Sequence, residues 1–415
     1  MTNSNLTIIN VKQLVGILPK EDLILAGLQM NKLSTIEDAF IEIREDKIHD
    51  FGLMKDLKLE KLKNIYDAKQ GLVLPSWNDS HTHLVFAKNR EKEFIDKING
   101  LSYEKIAERG GGILNSATHL EKISEKLLFE QSKEKLNDLI NLGTGAIEIK
   151  SGYGLSLQGE LKILRTIKRL KETFNINIKS TFLGAHAIPL KYKNNRKKYL
   201  DLLINEMLPA IYEEKLADYI DVFCETNYFN VDELDMILEA GAKFNLKPKV
   251  HVNQFTSIGG IQKAVEYNAV SVDHLEVMEN DDYKCLKNSK TIATLLPSCS
   301  FFIGIPYAPA KKLIKENIPF ALASDLNPGS SPNGNMNLVN SLACIKMKIL
   351  PETAINASTI NGAYAMEISN ITGSITKGKQ ANLIITKPID SYSYLAYSFG
   401  ENCISKTMIK GKWTK

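Results

Sequence analysis

The most constraining feature of the sequence is a series of eight short apolar segments that alternate with amphipathic segments across the middle of the chain. The apolar segments lie at residues 72–80, 144–150, 177–184, 219–224, 248–253, 270–275, 291–296 and 320–325. Segments between them, such as 121–142, 158–174, 231–244 and 258–267, carry apolar residues three and four positions apart, as helices that bury one face do. Alternating strands and helices indicate a parallel sheet covered by helices. Because eight such strands close a barrel, the sequence predicts an α/β fold with a (β/α)₈ barrel over residues 74–370.

Both ends of the chain are predicted to be rich in strands. Strand patterns occur at residues 6–11, 39–43 and 72–74, and again at 381–386 and 404–409. Asp50–Phe51–Gly52 and Lys410–Gly411–Lys412 have the composition of turns. We therefore expect residues 1–73 and 371–415 to form one small composite β-sandwich domain from both termini.

The charge pattern indicates a solvated surface. A net charge of +4 on 415 residues is small, and the clusters at 55–63 and 196–198 are interrupted or short. They lack the interleaved aromatic side chains of a single-strand platform, and no duplex-binding motif occurs. Nucleic acid is therefore not an expected partner.

Cysteine use and the N-terminal sequence point to a cytoplasmic protein. The five cysteines are scattered and never in a C-x-x-C spacing, so the sequence suggests neither a disulfide framework nor a thiolate metal site. Residues 1–10 lack the basic and long apolar regions of a signal peptide, and no run of about 18 uncharged apolar residues occurs. No membrane association is expected.

Histidine and aspartate residues lie at the ends of four predicted strands. These strand ends are His81–Thr82–His83, His251, Asp273–His274 and Asp325. In a barrel the carboxyl ends of all strands surround one mouth, and residues two apart on a strand point the same way. Two or three imidazoles and a carboxylate would suit one Zn²⁺ or one Fe²⁺/Fe³⁺ ion. An H-x-H pair alone fits two ordinary histidines equally well, and the joint placement of all these residues is what favours a metal site.

The segment that opens the barrel carries a resemblance to a known group of enzymes. Pro75–Ser76–Trp77–Asn78–Asp79–Ser80–His81–Thr82–His83 resembles the Pro-Gly-x-x-Asp-x-His-x-His motif of the amidohydrolase superfamily, with Ser76 in place of glycine. The resemblance implies a TIM barrel with a composite β-sandwich. Superfamily members with two metals commonly bridge them with a lysine on strand four, but residues 221–225 contain none. A single metal ion per subunit is therefore expected.

Within that superfamily the chain is similar to the imidazolonepropionase family nearly from end to end. The matching blocks are His81–Phe86 with Arg90 and Glu93–Phe94, Gly110–Leu114, Glu148–Leu155, Phe182–His186, Asp273–Glu276 and Ser324–Ser331. The resemblance implies hydrolysis of 4-imidazolone-5-propanoate to N-formimidoyl-L-glutamate in histidine degradation, and a homodimer.

The family resemblance also implies roles for individual residues. It implies that the metal ligands are His81, His83, His251 and Asp325. It implies that the substrate contacts are Arg90, Tyr153, His186, Gln254, Asn327, Gly329 and Ser330. A guanidinium can grip the propanoate tail through two parallel hydrogen bonds. A surface arginine, a packed tyrosine and a structural histidine remain the plain alternatives for Arg90, Tyr153 and His186.

The predicted catalytic residues are Asp325 and His274. Asp325 has a second carboxylate oxygen that could accept a proton from water and relay it to the ring nitrogen, while His274 could orient the water or stabilise an oxyanion. The family's strand-five motif usually reads His-Ala-acid-Glu or Gln, and this chain has His251–Val252–Asn253–Gln254. A glutamine does not titrate, so Gln254 is expected only to position water or substrate.

Two other functions share parts of this pattern. A single-metal aminohydrolase of the cytosine or guanine deaminase type would have the same ligands and fold but would release ammonia. A non-catalytic, dihydropyrimidinase-like assembly protein would share the barrel, but four intact ligand positions argue against it. Lys150 is expected to pair with a nearby carboxylate, and His119 to lie on a helical face.

Overall fold

The protein was analysed as a computed structural model that describes residues 5–58, 62, 64–101, 105–106, 109 and 111–414. The predicted positions Lys61 and Lys63 of the lysine cluster, and Gly110 of the glycine run, lie outside these residues. None of the helices in the described ranges is long and apolar enough to cross a membrane.

Two eight-stranded sheets account for the strands of the described residues. The first five strands are β1 (Asn5–Val15), β2 (Thr35–Arg44), β3 (Lys47–Leu53), β4 (Ile65–Asp67) and β5 (Gly71–Pro75). The next eight are β6 (Trp77–Asp79), β7 (Thr144–Lys150), β8 (Asn177–Ala185), β9 (Tyr219–Cys224), β10 (Lys247–Val252), β11 (Ser271–His274), β12 (Ile292–Leu295) and β13 (Phe320–Leu322). The last three are β14 (Leu383–Pro388), β15 (Ile404–Ile409) and β16 (Lys412–Trp413).

Most helices follow a barrel strand. The α-helices are α1 (Glu91–Ile98), α2 (Ile113–Lys122), α3 (Glu125–Asn141), α4 (Leu157–Thr173), α5 (Arg196–Leu202), α6 (Leu208–Glu213), α7 (Val231–Lys243), α8 (Gly260–Glu266), α9 (Asn280–Lys287), α10 (Pro297–Ile303), α11 (Ala310–Lys315), α12 (Met336–Leu342), α13 (Pro351–Ser358), α14 (Ile360–Tyr364) and α15 (Ser393–Tyr397). Ser124 and Ser156 cap α3 and α4 by accepting hydrogen bonds from backbone N–H groups of the first turn.

Strands β6 to β13 are all parallel and lie in chain order around a barrel, which confirms the predicted fold. The first and last strands meet just beyond their carboxyl ends. The N–H of Asp325 donates to the carbonyl of His81 at 3.0 Å, and the N–H of His83 donates to the carbonyl of Leu326 at 2.8 Å. The carboxylate of Asp79 accepts from the hydroxyl of Ser324 at 2.5 Å across the same seam.

Strands from both ends of the chain form the second sheet. Its order is β16-β15-β14-β5-β1-β2-β3, with β4 beside β1. Side chains from strands at opposite ends of this order, such as Ile41 of β2 and Met408 of β15, share one apolar core, so the sheet folds over itself as a sandwich. The composite domain predicted from the two termini is confirmed.

Two local predictions were wrong. The segment 72–80 is not one strand, because β5 pairs within the sandwich and β6 within the barrel, with the change of sheet at Ser76. A side chain at Gly145 of β7 would lie 1.8 Å from Ser76 Oγ, so the crossing is tightly packed. Asp50–Phe51–Gly52 is not a turn but part of β3, where Phe51 pairs with Ile41 and packs against the sandwich core.

Candidate metal centre and active site

Four side chains from the carboxyl ends of β6, β10 and β13 converge at the mouth of the barrel. Nε2 of His81 and Nε2 of His83 lie 3.4 and 3.8 Å from Oδ1 of Asp325, and Nε2 of His251 lies 3.4 Å from Nε2 of His83. Ligands at about 2.1 Å from a tetrahedral ion are about 3.4 Å apart, so each of these three spacings is compatible with a shared cation. The side chains whose ligand atoms all lie within 4.8 Å of one another form two overlapping groups, His81, His83 and Asp325, and His81, His251 and His274. The buried Nε2 of His81 has no hydrogen-bond partner among the described residues, as a metal ligand would.

Two buried aspartates accept hydrogen bonds from the Nδ1 atoms of two of these imidazoles, on the side of each ring away from the centre. Oδ2 of Asp273 lies 2.7 Å from Nδ1 of His81, and Oδ2 of Asp221 lies 2.9 Å from Nδ1 of His251. An ionised carboxylate only accepts hydrogen bonds, so each Nδ1 carries the hydrogen and each Nε2 presents its lone pair to the centre. Burial raises the pKa of a carboxyl group, but the adjacent His251 and Lys150 hold the pKa of Asp221 below its usual value.

The remaining ligand candidates are also in the protonation state that a cation needs. Nδ1 of His83 donates to the carbonyl of Ser151 at 3.3 Å. Burial lowers the pKa of His83 well below its usual value and lowers that of His251 to about 4, so both rings are neutral at pH 7. Burial alone would raise the pKa of Asp325, but the neighbouring imidazoles, His81 foremost, lower it to about 2. For His81, burial and Lys150 lower the pKa, but Asp273 and Asp325 outweigh them and raise it above its usual value. Two neutral imidazoles and one ionised carboxylate therefore lie beside His81 at the barrel mouth.

A network of buried charges lies directly beneath the candidate metal centre. Nζ of Lys150 is 2.8 Å from Glu148, 2.9 Å from Asp221 and 3.3 Å from Asp273, and all four side chains are fully buried. Lys249 forms an ion pair with the other oxygen of Glu148. The expectation that Lys150 pairs with a carboxylate is confirmed.

One cavity opens above the candidate metal ligands, and most of the predicted substrate contacts line it. The predicted contacts in its wall are Arg90, Tyr153, His186, Gln254, Asn327 and Ser330. The predicted catalytic residues Asp325 and His274 line it too, together with the apolar side chains of Ile113, Phe223, Phe255 and Ile303. Gly329 is absent from the wall but lies directly behind Arg90.

The guanidinium of Arg90 lies against the backbone of Gly329. A Cβ atom at Gly329 would be 1.3 Å from one terminal nitrogen of Arg90, so only glycine fits there. Arg90 is 7% exposed, and its Nε and one terminal nitrogen make no hydrogen bond within the described part of the chain. The nearest carboxylate, Glu93, is 3.7 Å away. A buried guanidinium with unused donors in a cavity wall is a candidate for binding an anion.

Tyr153 and His186 face each other and the ligand His83. His186 stacks on His83 with 5.1 Å between ring centroids, and the ring of Tyr153 is 5.4 Å from that of His186. Nδ1 of His186 donates to the carbonyl of Gly152 at 3.0 Å, and burial lowers the pKa of His186 to about 3. The ring is therefore neutral with Nε2 free to accept a hydrogen bond.

Glu160, which sequence reasoning missed, fixes the loop that carries Tyr153. Its buried carboxylate, in the first turn of α4, accepts hydrogen bonds from the N–H groups of Gly152, Gly154 and Leu155 at 3.1, 2.7 and 2.9 Å. A side chain at Gly154 would lie 2.3 Å from the backbone of Glu160, so this glycine is required by packing. The sequence signal that could have identified Glu160 is an acidic residue in the first turn of the helix that follows Gly152–Tyr153–Gly154.

The other predicted contacts have partners of their own. The side-chain amide of Asn327 bonds to the carbonyl of Asp325, the hydroxyl of Ser330 and two N–H groups of its own loop, so it shapes that loop. Nε2 of Gln254 lies 3.4 Å from the buried thiol of Cys299, a cavity neighbour that the sequence interpretation treated only as a reduced cysteine.

His274 lies beside the candidate metal ligands and has an acidic neighbour. Its Nδ1 lies 3.6 Å from Glu276, which in turn accepts from the hydroxyl of Ser300 at 2.9 Å. Burial lowers the pKa of His274, but Glu276 outweighs that effect and raises it above its usual value. His274 also lies within reach of a cation that His81 and His251 would bind.

The sequence of this chain is similar to known proteins over most of its length. A model of the amidohydrolase family matches residues 72–414. The chain is 56% identical over 403 residues to the imidazolonepropionase of Flavobacterium johnsoniae, covering 97% of this chain and 98% of that protein. It is 54% identical over 407 residues to the imidazolonepropionase of Christiangramia forsetii, covering 98% and 99%.

A solved structure of Escherichia coli guanine deaminase shares the fold. It superposes with a TM-score of 0.75 and covers 99% of each chain, at 12% sequence identity. At that identity the likeness shows a common architecture and nothing about the substrate.

Proposed function

This chain belongs to the amidohydrolase family and, within it, to the imidazolonepropionases, and we propose that it hydrolyses the ring amide bond of 4-imidazolone-5-propanoate to N-formimidoyl-L-glutamate. The observation that carries the proposal is the buried guanidinium of Arg90, two of whose nitrogens make no hydrogen bond among the described residues, in the same cavity as His83, His251 and Asp325. One end of that cavity suits a carboxylate and the other suits a cation.

The residues proposed to hold the cation are His81, His83, His251 and Asp325. Three imidazole nitrogens and a carboxylate oxygen suit Zn²⁺ and Fe²⁺ or Fe³⁺, with one ion per subunit. When bound, such an ion lowers the pKa of a coordinated water and polarises a nearby carbonyl. The cytoplasmic location and the homodimer expected from the sequence stay predictions.

Arg90 is proposed to bind the propanoate tail. A planar guanidinium pairs with a carboxylate through two parallel charge-assisted hydrogen bonds. Tyr153 and Nε2 of His186 then lie next to the polar edge of the imidazolone ring. Nε2 of His186 accepts a hydrogen bond from an N–H of that substrate ring. Gly329 allows the guanidinium to lie flat, while Asn327 and Ser330 support the same loop.

Asp325 is proposed to carry the proton. Its carboxylate accepts a proton from the attacking water as the new C–O bond forms at the ring carbonyl, and passes it to the ring nitrogen as the C–N bond breaks. Its pKa of about 2 means that it starts ionised. His274, oriented by Glu276, donates a hydrogen bond to the oxyanion. Gln254 does not titrate and positions the water.

The deaminase alternative is not favoured. Identity above one half to imidazolonepropionases contrasts with 12% to guanine deaminase. Ring opening leaves every substrate atom in one product, whereas a deaminase releases ammonia.

The test is one purified sample measured in three ways: metal content, loss of imidazolone absorbance and ammonia release. We expect about one ion per chain, turnover of 4-imidazolone-5-propanoate and no ammonia. A protein that holds its metal and leaves this substrate unchanged would refute the proposed reaction.

A further inference from the structure

Lys150 lies beneath the candidate metal centre and touches none of the four proposed ligands through a direct hydrogen bond. Its Nζ atom is 2.9 Å from Oδ2 of Asp221 and 3.3 Å from Oδ2 of Asp273. These are the same two oxygen atoms that accept the Nδ1 hydrogens of His251 and His81. One ammonium group is thus joined to two imidazoles through two shared carboxylate oxygens.

We propose that Lys150 is a positioning residue that fixes the tautomer and orientation of His81 and His251 together, and so sets the metal affinity of the centre. This inference rests on the proposed metal site. It adds a residue that binds neither the ion nor the substrate.

The geometry suits an ammonium group in particular. Lysine offers three N–H donors on one atom, and three carboxylate oxygens, from Glu148, Asp221 and Asp273, lie within 3.3 Å of Nζ. All are fully buried, so water does not replace a lost partner. Without the ammonium, the two aspartates would repel each other and turn away from the imidazoles. That movement frees Nδ1 and lets the hydrogen move to Nε2, where it blocks metal binding.

The chain provides a matched control in Lys249. It is equally buried and pairs with Glu148 of the same network, but its other partners are the carbonyls of Ser80 and Ala365. It forms no ion pair with Asp221 or Asp273 among the described contacts. Lys249→Met therefore removes one buried charge from the network without touching the oxygens that hold the imidazoles.

The first experiment measures Zn²⁺ affinity by competition with a chromophoric chelator. We expect Lys150→Met to weaken Zn²⁺ binding about 10- to 100-fold, the usual effect of losing an outer partner of a ligand, and Lys249→Met to change it less than about threefold. Equal affinity of Lys150→Met and wild type, or equal losses in both variants, would overturn the proposal. Wild-type protein that binds no Zn²⁺ would instead refute the metal centre itself.

A second readout separates positioning from stability. In wild-type apoprotein labelled with ¹⁵N-histidine, NMR should show His81 and His251 with the hydrogen on Nδ1, and Lys150→Met should show a mixture of tautomers. A residue that only stabilises the fold would lower the melting temperature and leave these tautomers unchanged, which would also overturn the proposal.

A double variant guards against misfolding. Lys150→Met combined with Glu148→Gln restores the net charge of the network but not the donor to the two aspartates. We expect it to regain stability and to keep the weak Zn²⁺ binding. If it regains wild-type affinity, or if neither Lys150 variant folds while Lys249→Met does, the role of Lys150 is structural and the proposal fails.

Discussion

Arg90 should contribute to the binding of the propanoate tail and not to bond cleavage. Its Nε and one terminal nitrogen make no hydrogen bond within the described residues, and Glu93 is 3.7 Å from that terminal nitrogen, so the guanidinium in the cavity wall keeps donors for a carboxylate. A hydrogen bond to a charged group contributes about 1.5–3 kcal/mol, and two of them contribute at least about 3 kcal/mol. Arg90→Met should therefore raise KM about 100-fold or more, since each 1.4 kcal/mol is about tenfold. Because tail binding is the same in ground and transition states, kcat should stay nearly constant.

Arg90→Lys refines the same prediction. Lysine keeps the charge but lacks the planar fork, so one of the two contacts is lost and KM should rise about tenfold. Lys92→Met is the control for local charge, because Lys92 is exposed on α1 and lies outside the cavity wall. Its KM should change less than about threefold, the level expected when an exposed charge is lost.

The assay compares two substrates under steady-state conditions. With 4-imidazolone-5-propanoate the Arg90 variants should show the losses given above, and with an imidazolone that lacks the tail they should match wild type. Equal losses on both substrates, or a fall in kcat at unchanged KM, would refute the assignment of Arg90 to the tail.

Three further substitutions test the proton path and the cavity wall. Asp325→Ala, with metal content confirmed, should lower kcat more than about 100-fold because the proton carrier is lost, and near-normal turnover would rule out this relay. Gln254→Glu should keep kcat within about tenfold, since position 254 only orients water; a loss as large as that of Asp325→Ala would contradict that role. Gly329→Ala should raise KM for the tail-bearing substrate alone, because its Cβ would lie 1.3 Å from Arg90 and push the guanidinium aside; an unchanged KM would show that Arg90 does not need this glycine.

The convergence of the four ligand candidates could be predicted because the strand ends of a barrel share one mouth. The strand periodicity used for His81 and His83 does not apply, since β6 ends at Asp79 and β13 at Leu322, so His81, His83 and Asp325 lie just beyond their strands. The break at Ser76 was not predictable in this way, since an apolar run through residues 72–80 fits one strand as well as two.

The charges beneath the centre illustrate what the sequence hides. Glu148, Lys150 and Lys249 each lie on a strand in which charged and apolar residues alternate, a pattern that also fits a solvent-exposed face. Their pairing depends on the register between neighbouring strands. Lys249 stands opposite Asp221 in that register, and His251 stands opposite Asp273. A useful sign was present nonetheless: Lys249 precedes His251 by two residues, so the two side chains point to the same side of β10.

The seam between β6 and β13 makes the candidate metal site part of the closure of the barrel. The bonds that join the two strands involve His81, His83 and Asp325 themselves, and the Asp79–Ser324 bond beside them links residues 245 positions apart in the chain. An ion held by these side chains would therefore link the first quarter of the polypeptide to the last quarter. Removal of the ion should first weaken the barrel at the seam between β6 and β13. Amide hydrogens at this seam should then exchange with solvent sooner than those on the opposite side of the barrel.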